Sequence, residues 1–100
     1  MTVSLADRLP ALRQRFLAGL ERRLDEMTLA LHGTADKQAL MPMFHSVAGI
    51  AGTYGYPLIT EISRHCEHLC AGAIEDEQPL TASQTESLRG AVAAMRVAAR

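Results

Sequence analysis

Apolar residues recur every three or four positions through most of the chain, and this helical spacing limits the fold more than any other feature of the sequence. The longest such segment runs from about Ser4 to Leu31, and the alternation typical of β-strands is almost absent. An amphipathic helix must bury its apolar face against other elements. The first segment therefore predicts a helix whose buried side holds Leu5, Leu9, Leu12, Phe16, Leu20, Leu24, Met27 and Leu31.

The boundaries of this first segment have recognisable signals. Ser4, with Asp7 three residues later, is an acceptable helix start, and Gly33 suits the position just after a helix end. Pro10 could open a second helix at its first turn. The segment is therefore either one long helix or two helices joined near Pro10, the first being a short extra N-terminal helical turn.

A second helix is predicted from Thr34, as N-cap, to about Thr53, with Asp36 in the first turn where the helix dipole favours a carboxylate. Pro42 lies inside this helix. An interior proline removes a hydrogen bond and clashes with the preceding turn. We therefore expect a kink or a restart just before His45.

Two further helices follow. Residues 54–56 have turn chemistry, and a third helix is predicted from Pro57 to about Gly72. After a polar loop at 75–79, Thr81 and Gln84 form the capping-box pattern of a fourth helix. Because short connections make neighbouring helices antiparallel, the predicted fold is all-α, an antiparallel four-helix bundle.

The composition is that of a single soluble domain spanning residues 1–100. Of the residues 48% are hydrophobic and 21% charged, and the net charge is -1. This balance suggests neither nucleic acid nor an anionic membrane as a partner. No apolar run approaches the ~20 residues that cross a bilayer, and Asp7 and Arg8 interrupt any early signal-peptide core. We expect a monomer that stays in the cytoplasm.

Half of the ten basic residues are arginines of the first helix, where acidic residues are interleaved with them. A solvated helix face is the ordinary explanation of such a pattern. The sharper interpretation is that these arginines support the docking of an acidic partner. They are Arg8, Arg13, Arg15, Arg22 and Arg23.

His45 lies among small residues of the predicted second helix. At about 100° per residue, four other positions fall within about 60° of it, while large apolar residues form a separate stripe. Two of the four are glycines, although a glycine inside a helix costs roughly 1 kcal/mol relative to alanine. Such a flat face would let another macromolecule approach the imidazole. The four positions are Met41, Ala48, Gly49 and Gly52.

The segment from His45 to Gly55 resembles the signature of the histidine-containing phosphotransfer (HPt) domain of two-component phosphorelays. That signature reads H-x-L-K-G-S/A-A and continues to a later glycine. Val47, Gly49 and Ala51 match its apolar, glycine and small positions, and Gly55 matches the later glycine. In the third helix, Ile59, Ile62 and Glu67 match further family positions, whereas Cys66 replaces the usual leucine.

The resemblance implies that His45 accepts a phosphoryl group from the aspartate of one receiver domain and passes it to another. A hybrid histidine kinase is a further implied partner. A neutral imidazole needs no separate base, and no cofactor is expected on this chain because the receiver brings Mg²⁺. A long side chain at Gly52 should block docking with little loss of fold. The implied docking face consists of Met41, Ala48, Gly49 and Gly52.

The main departure from the family pattern is Ala48, which stands where lysine is usual. Alanine cannot supply a cation beside a phosphohistidine. An antiparallel third helix would bring substitutes to the same height, namely Arg64, His65 and His68. The departure also keeps open an HPt-like module that binds a receiver or kinase without being phosphorylated.

A third hypothesis is a metal site in the third helix, because four of its residues are of types that bind zinc. These residues are His65, Cys66, His68 and Cys70. A second pair of ligands is missing unless His45 or His32 joins, so no metal site is expected. Cysteines four apart on a helix suit parallel side chains better than a disulfide. The favoured interpretation is that both cysteines are free thiols in the core.

Overall fold

Four α-helices make up most of residues 4–100, the part of the chain that this computed structural model describes. In chain order they are α1 (Leu5–His32), α2 (Lys37–Ala51), α3 (Pro57–Glu75) and α4 (Ala82–Ala98). No strand occurs within residues 4–100. The predicted all-α four-helix fold is therefore confirmed, while the expected burial of the Leu5 side chain lies outside the described residues.

α1 is one helix of 28 residues and contains Pro10 without interruption. Ser4 is its N-cap, and the Asp7 N–H donates to Ser4 Oγ at 3.3 Å. Pro10 removes the hydrogen bond to the carbonyl of Ala6, and both residues are exposed, so water can satisfy that carbonyl. Of the two alternatives left by the sequence, the single long helix is correct.

α2 begins later than predicted, and the assignment of Thr34 as its N-cap is wrong. Ala35 adopts a positive φ of 49° and its N–H donates to Ala30 O at 2.9 Å, which extends the turn after α1. Asp36 then caps α2 by accepting from the Gln38 N–H at 3.0 Å. The side chain that caps the helix is thus the one that follows the left-handed residue.

The other helix limits also differ modestly from expectation. α2 passes through Pro42 without a restart and ends at Ala51, and α3 continues to Glu75. The predicted capping box of α4 is present, with Thr81 and Gln84 bonded reciprocally. None of the helices within residues 4–100 is long and apolar enough to cross a membrane.

The core lies along the middle of the bundle and fixes how the helices sit. Phe16 of α1 stacks on Tyr54, with ring centroids 5.1 Å apart, and so ties α1 to the turn after α2. Arg96 joins α4 to α1 through Asp25 at 2.7 Å. The largest fully buried side chains are Phe44, Leu20, Leu24, Met27, Leu31, Leu40, Ile59, Leu88, Met95, Val47, Cys66 and Cys70.

Candidate functional site

α2 turns His45 outward while its neighbours hold the helix in the core. The His45 side chain is 76% exposed, whereas Phe44 and Val47 are completely buried. This follows from helical geometry, since positions one before and two after a residue point well away from it. The predicted apolar stripe is confirmed as the inner side of α2, so the helix cannot rotate to hide the imidazole.

Glu67 of α3 is the direct partner of the imidazole. His45 Nδ1 lies 2.7 Å from Glu67 Oε1, and the glutamate side chain is only 25% exposed. α2 and α3 are the most closely packed pair of helices. Because the loop between these helices is short, it fixes the position along the helix axes at which the two side chains meet.

This contact determines the protonation pattern of the ring. An ionised carboxylate can only accept hydrogen bonds, so Nδ1 must donate its proton to Glu67. In a neutral imidazole, the other nitrogen, Nε2, then carries the free lone pair. The arrangement leaves an exposed ring whose free lone pair lies on Nε2.

The imidazole borders an open depression of about 290 Å³ between α2 and α3. Arg64 and His68, two of the three predicted stand-ins for the missing lysine, line this depression together with His45 and Glu67. The third, His65, is exposed but does not line it. Residues two apart on a helix point about 160° from one another, which turns His65 away from the Glu67 side of α3.

The four residues of the predicted docking face differ in exposure. Gly49 is exposed and Met41 is half-buried, but Ala48 is only 5% exposed. The Ala48 carbonyl accepts a hydrogen bond from Thr60 Oγ1 of α3 at 3.2 Å. Ala48 thus contributes mainly to the α2·α3 contact and offers little surface to a partner.

Gly52 is exposed, yet it also permits close packing of the helices. A Cβ at Gly52 would lie 3.3 Å from Thr60 Oγ1, whereas a Cβ at Gly49 would have nothing within 4 Å. A side chain at Gly52 would therefore push on the hydroxyl that bonds Ala48. This contact argues against the expectation that Gly52 tolerates a long side chain at little cost to the fold, which stays a prediction to be tested, and Gly49 is the open position.

The proposed metal ligands of α3 point in different directions. Cys66 and Cys70 are buried free thiols, while His65 and His68 are exposed. Burial, with a smaller contribution from Cys70, raises the pKa of the Cys66 thiol to about 12, and burial raises that of Cys70 to about 11. Protonated thiols are poor metal ligands. Within residues 4–100, no three His, Cys, Asp or Glu side chains are grouped to hold an ion.

Glu67 is the member of the site whose role the sequence did not assign. In the sequence, Glu67 matches a family position and carries no other assigned role. The antiparallel register that places Arg64, His65 and His68 at the height of His45 also places Cys66 there, and Cys66 faces the core. Glu67 follows Cys66 directly, so it lies at nearly the same height and is turned by about 100°, towards α2. The register combined with this rotation is the signal that could have identified Glu67.

A model of the Hpt domain family matches residues 11–98, which cover all of the site and nearly all of the bundle. The chain therefore belongs to the histidine-containing phosphotransfer family, as the resemblance around His45 implied. Domains of this family take part in histidine phosphotransfer within two-component systems and interact with receiver domains and kinases. Searches of curated proteins and of solved structures found no significant match.

Proposed function

We propose that the chain is a phosphorelay intermediate, in which His45 accepts a phosphoryl group from one receiver aspartate and passes it to another receiver. The observation that carries this proposal is the 2.7 Å contact between Nδ1 and Glu67 on a ring that is otherwise exposed. A histidine whose Nδ1 is fixed by a hydrogen bond and whose Nε2 is exposed can reach into the active site of a second protein.

The transfer step follows from this tautomer. The lone pair of Nε2 attacks phosphorus, an N–P bond forms, and the bond from phosphorus to the aspartate oxygen breaks. The aspartate leaves as a carboxylate with the bonding electron pair, and the proton stays on Nδ1. The ring then carries positive charge, which the Glu67 carboxylate offsets. The reverse step delivers the group to the next receiver.

Phosphoryl transfer depends chiefly on positioning and charge stabilisation. In this proposal the receiver supplies the Mg²⁺ and the acceptor aspartate, and the HPt chain supplies only a correctly oriented nucleophile. Arg64 and His68, which share the depression with His45, are the side chains available to face the phosphoryl oxygens. Exposed Gly49 gives the partner room to approach.

A second candidate function rests on Ala48. Because the usual lysine is absent, the chain would bind a receiver or a kinase at the same surface without carrying phosphate. The two functions differ in one observable, which is the presence of phosphohistidine after contact with a phosphorylated receiver.

The experiment that separates them uses a panel of receiver domains phosphorylated with acetyl phosphate. After mixing with the chain, phosphate on the chain is tested for acid lability and its position is mapped by mass spectrometry. Acid-labile phosphate on His45 supports the relay. Receivers that bind but never transfer phosphate would favour the binding module, and phosphate on His65 or His68 would overturn the assignment of the acceptor.

A further inference from the structure

A second surface lies on the other side of α2, where α1 passes the C-terminal end of that helix. It is an open groove of about 340 Å³ with an apolar floor that includes Leu12, Phe16, Ile50 and Tyr54. Gly19 also lines the groove, and a Cβ there would meet nothing within 4 Å. The groove has room for a few apolar side chains of another molecule.

The rim of this groove is basic. Arg8, Arg15 and Arg22 follow one another at seven-residue intervals, so each is turned by about 20° from the next along α1 and lies about 10 Å from it. All three are exposed, and none forms an ion pair within residues 4–100. Arg15 also lines the groove itself, together with Arg23, and no carboxylate does.

This basic line is a local property, because the chain as a whole has a net charge of -1. Glu26, one turn beyond Arg22 on the same side of α1, marks its end. At the other end α1 extends past the turn that Phe16 contacts, and Leu9 and Leu12 are half-buried without belonging to the core cluster. Apolar surface and unpaired cations therefore continue together along the first half of α1.

We propose that this surface, the α1 groove, binds an acidic amphipathic helix of a separate partner protein. The apolar floor takes the leucine-like residues of that helix, and Arg8, Arg15 and Arg22 pair with carboxylates spaced seven residues apart along its edge. A second copy of this chain would bring the same arginine line against itself in a symmetric dimer. Charge complementarity thus favours an acidic partner, and the surface is distinct from the depression at His45.

The test uses a fluorescein-labelled helical peptide with glutamates seven residues apart and leucines between them. Two controls are a scrambled peptide of the same composition and a peptide with lysines in place of the glutamates. We expect saturable binding of the first peptide only, measured by fluorescence anisotropy, with an affinity that falls as salt is raised. No binding, or equal binding of the scrambled peptide, would overturn the proposal.

Two variants locate the peptide. Gly19→Gln places a side chain in the floor and Arg15→Glu reverses one rim charge, and each should weaken binding by about tenfold or more. Gly90→Gln, at another helical glycine with nothing within 4 Å of its Cβ position, and Arg100→Glu are the matched controls and should change little. Equal affinity in all four variants would mean that the peptide binds elsewhere.

Phosphotransfer assays on the same variants keep this proposal separate from the proposed relay. Gly19→Gln and Arg15→Glu should retain transfer to His45, and His45→Gln should retain peptide binding. If both groove variants lose transfer in proportion to peptide binding, the groove is part of the receiver-docking surface and the separate partner is refuted. Competition by duplex DNA as strong as that by unlabelled peptide would refute it equally.

Discussion

His45 Nδ1 and Glu67 Oε1 lie 2.7 Å apart, and this contact joins an exposed side chain of α2 to a largely buried one of α3. The carboxylate holds the proton on Nδ1 and leaves the lone pair on Nε2, so Nε2 is the nucleophile in the proposed relay. It also keeps the ring in one orientation, which a freely rotating surface histidine would lack. In the proposed relay, the neighbouring helix thus determines which nitrogen of the imidazole reacts.

The first prediction concerns Glu67. A hydrogen bond to a charged group is worth about 1.5–3 kcal/mol, less where water reaches it, so Glu67→Ala should slow phosphoryl transfer to His45 by about tenfold. Glu67→Gln keeps an acceptor without the charge and should have a smaller effect. Rates are measured by rapid quench with phosphorylated receiver. A wild-type rate in Glu67→Ala, with helicity retained, would remove its positioning role.

The second prediction concerns the approach of the partner to His45. Gly49→Gln adds a side chain beside the imidazole where the fold leaves open space, so transfer should fall by about tenfold or more at low receiver concentration. Stability should rise by about 0.5–1 kcal/mol, because glycine is a poor helix former. Gly90→Gln is the matched control and should raise stability without affecting transfer.

Gly52→Gln provides the contrast with Gly49→Gln. Its new Cβ meets Thr60 Oγ1, so this variant should lower the melting temperature as well as the transfer rate. If Gly49→Gln transfers normally, the partner docks on another surface. If Gly52→Gln has the melting temperature of the wild type, the Thr60 hydroxyl can move aside and does not exclude a side chain at this position.

The third prediction concerns the missing cation. Ala48→Lys would run its aliphatic stem out along the depression and should slow the loss of phosphate from His45 several-fold, at a stability cost of about 1 kcal/mol. Arg64→Ala should accelerate that loss. His65→Ala is the control, since His65 does not line the depression. Unchanged phosphate lifetimes in both Ala48→Lys and Arg64→Ala would show that no nearby cation matters.

The fourth prediction concerns the two thiols. Because burial raises the pKa of Cys66 to about 12 and that of Cys70 to about 11 from 9.0, both should resist thiol reagents at pH 8 until the protein unfolds. The folded pKa values exceed the unfolded ones, so this contribution to stability is complete below about pH 9 and is lost as pH rises through the folded values.

Urea titrations between pH 7 and pH 10.5 measure that loss. The wild type should lose stability with pH more steeply than the Cys66→Ala/Cys70→Ala double variant, whose other titrating groups are the same. Parallel pH profiles, or rapid modification of the native thiols at pH 8, would contradict the burial of the cysteines.

Much of the bundle was predictable because the apolar spacing of α1 to α4 is regular and the caps at Ser4 and Thr81 are strong local signals. The N-cap of α2 was not predictable from the sequence, because it depends on a left-handed conformation of Ala35 that alanine does not favour. Pro10 and Pro42 were ambiguous because their effect depends on whether the carbonyl that loses its partner can reach water.

The outward position of His45 was predictable from the helical wheel, since Phe44 and Val47 require the opposite side of α2. The Glu67 contact and the closeness of Thr60 to Gly52 depend on the rotation of α3 about its axis and on the distance between two helices. Periodicity gives the height of a residue on a neighbouring helix, but a register error of one residue turns its side chain by about 100°.

The most direct test of this account is the nitrogen that bears phosphorus. With ¹⁵N-labelled chain, the free His45 imidazole should show a proton on Nδ1 and a lone pair on Nε2 in long-range ¹H–¹⁵N spectra. After transfer from a phosphorylated receiver, ³¹P–¹⁵N coupling should appear at Nε2 of His45 and be absent in His45→Gln. Coupling at Nδ1, or at another histidine, would contradict the proposed mechanism.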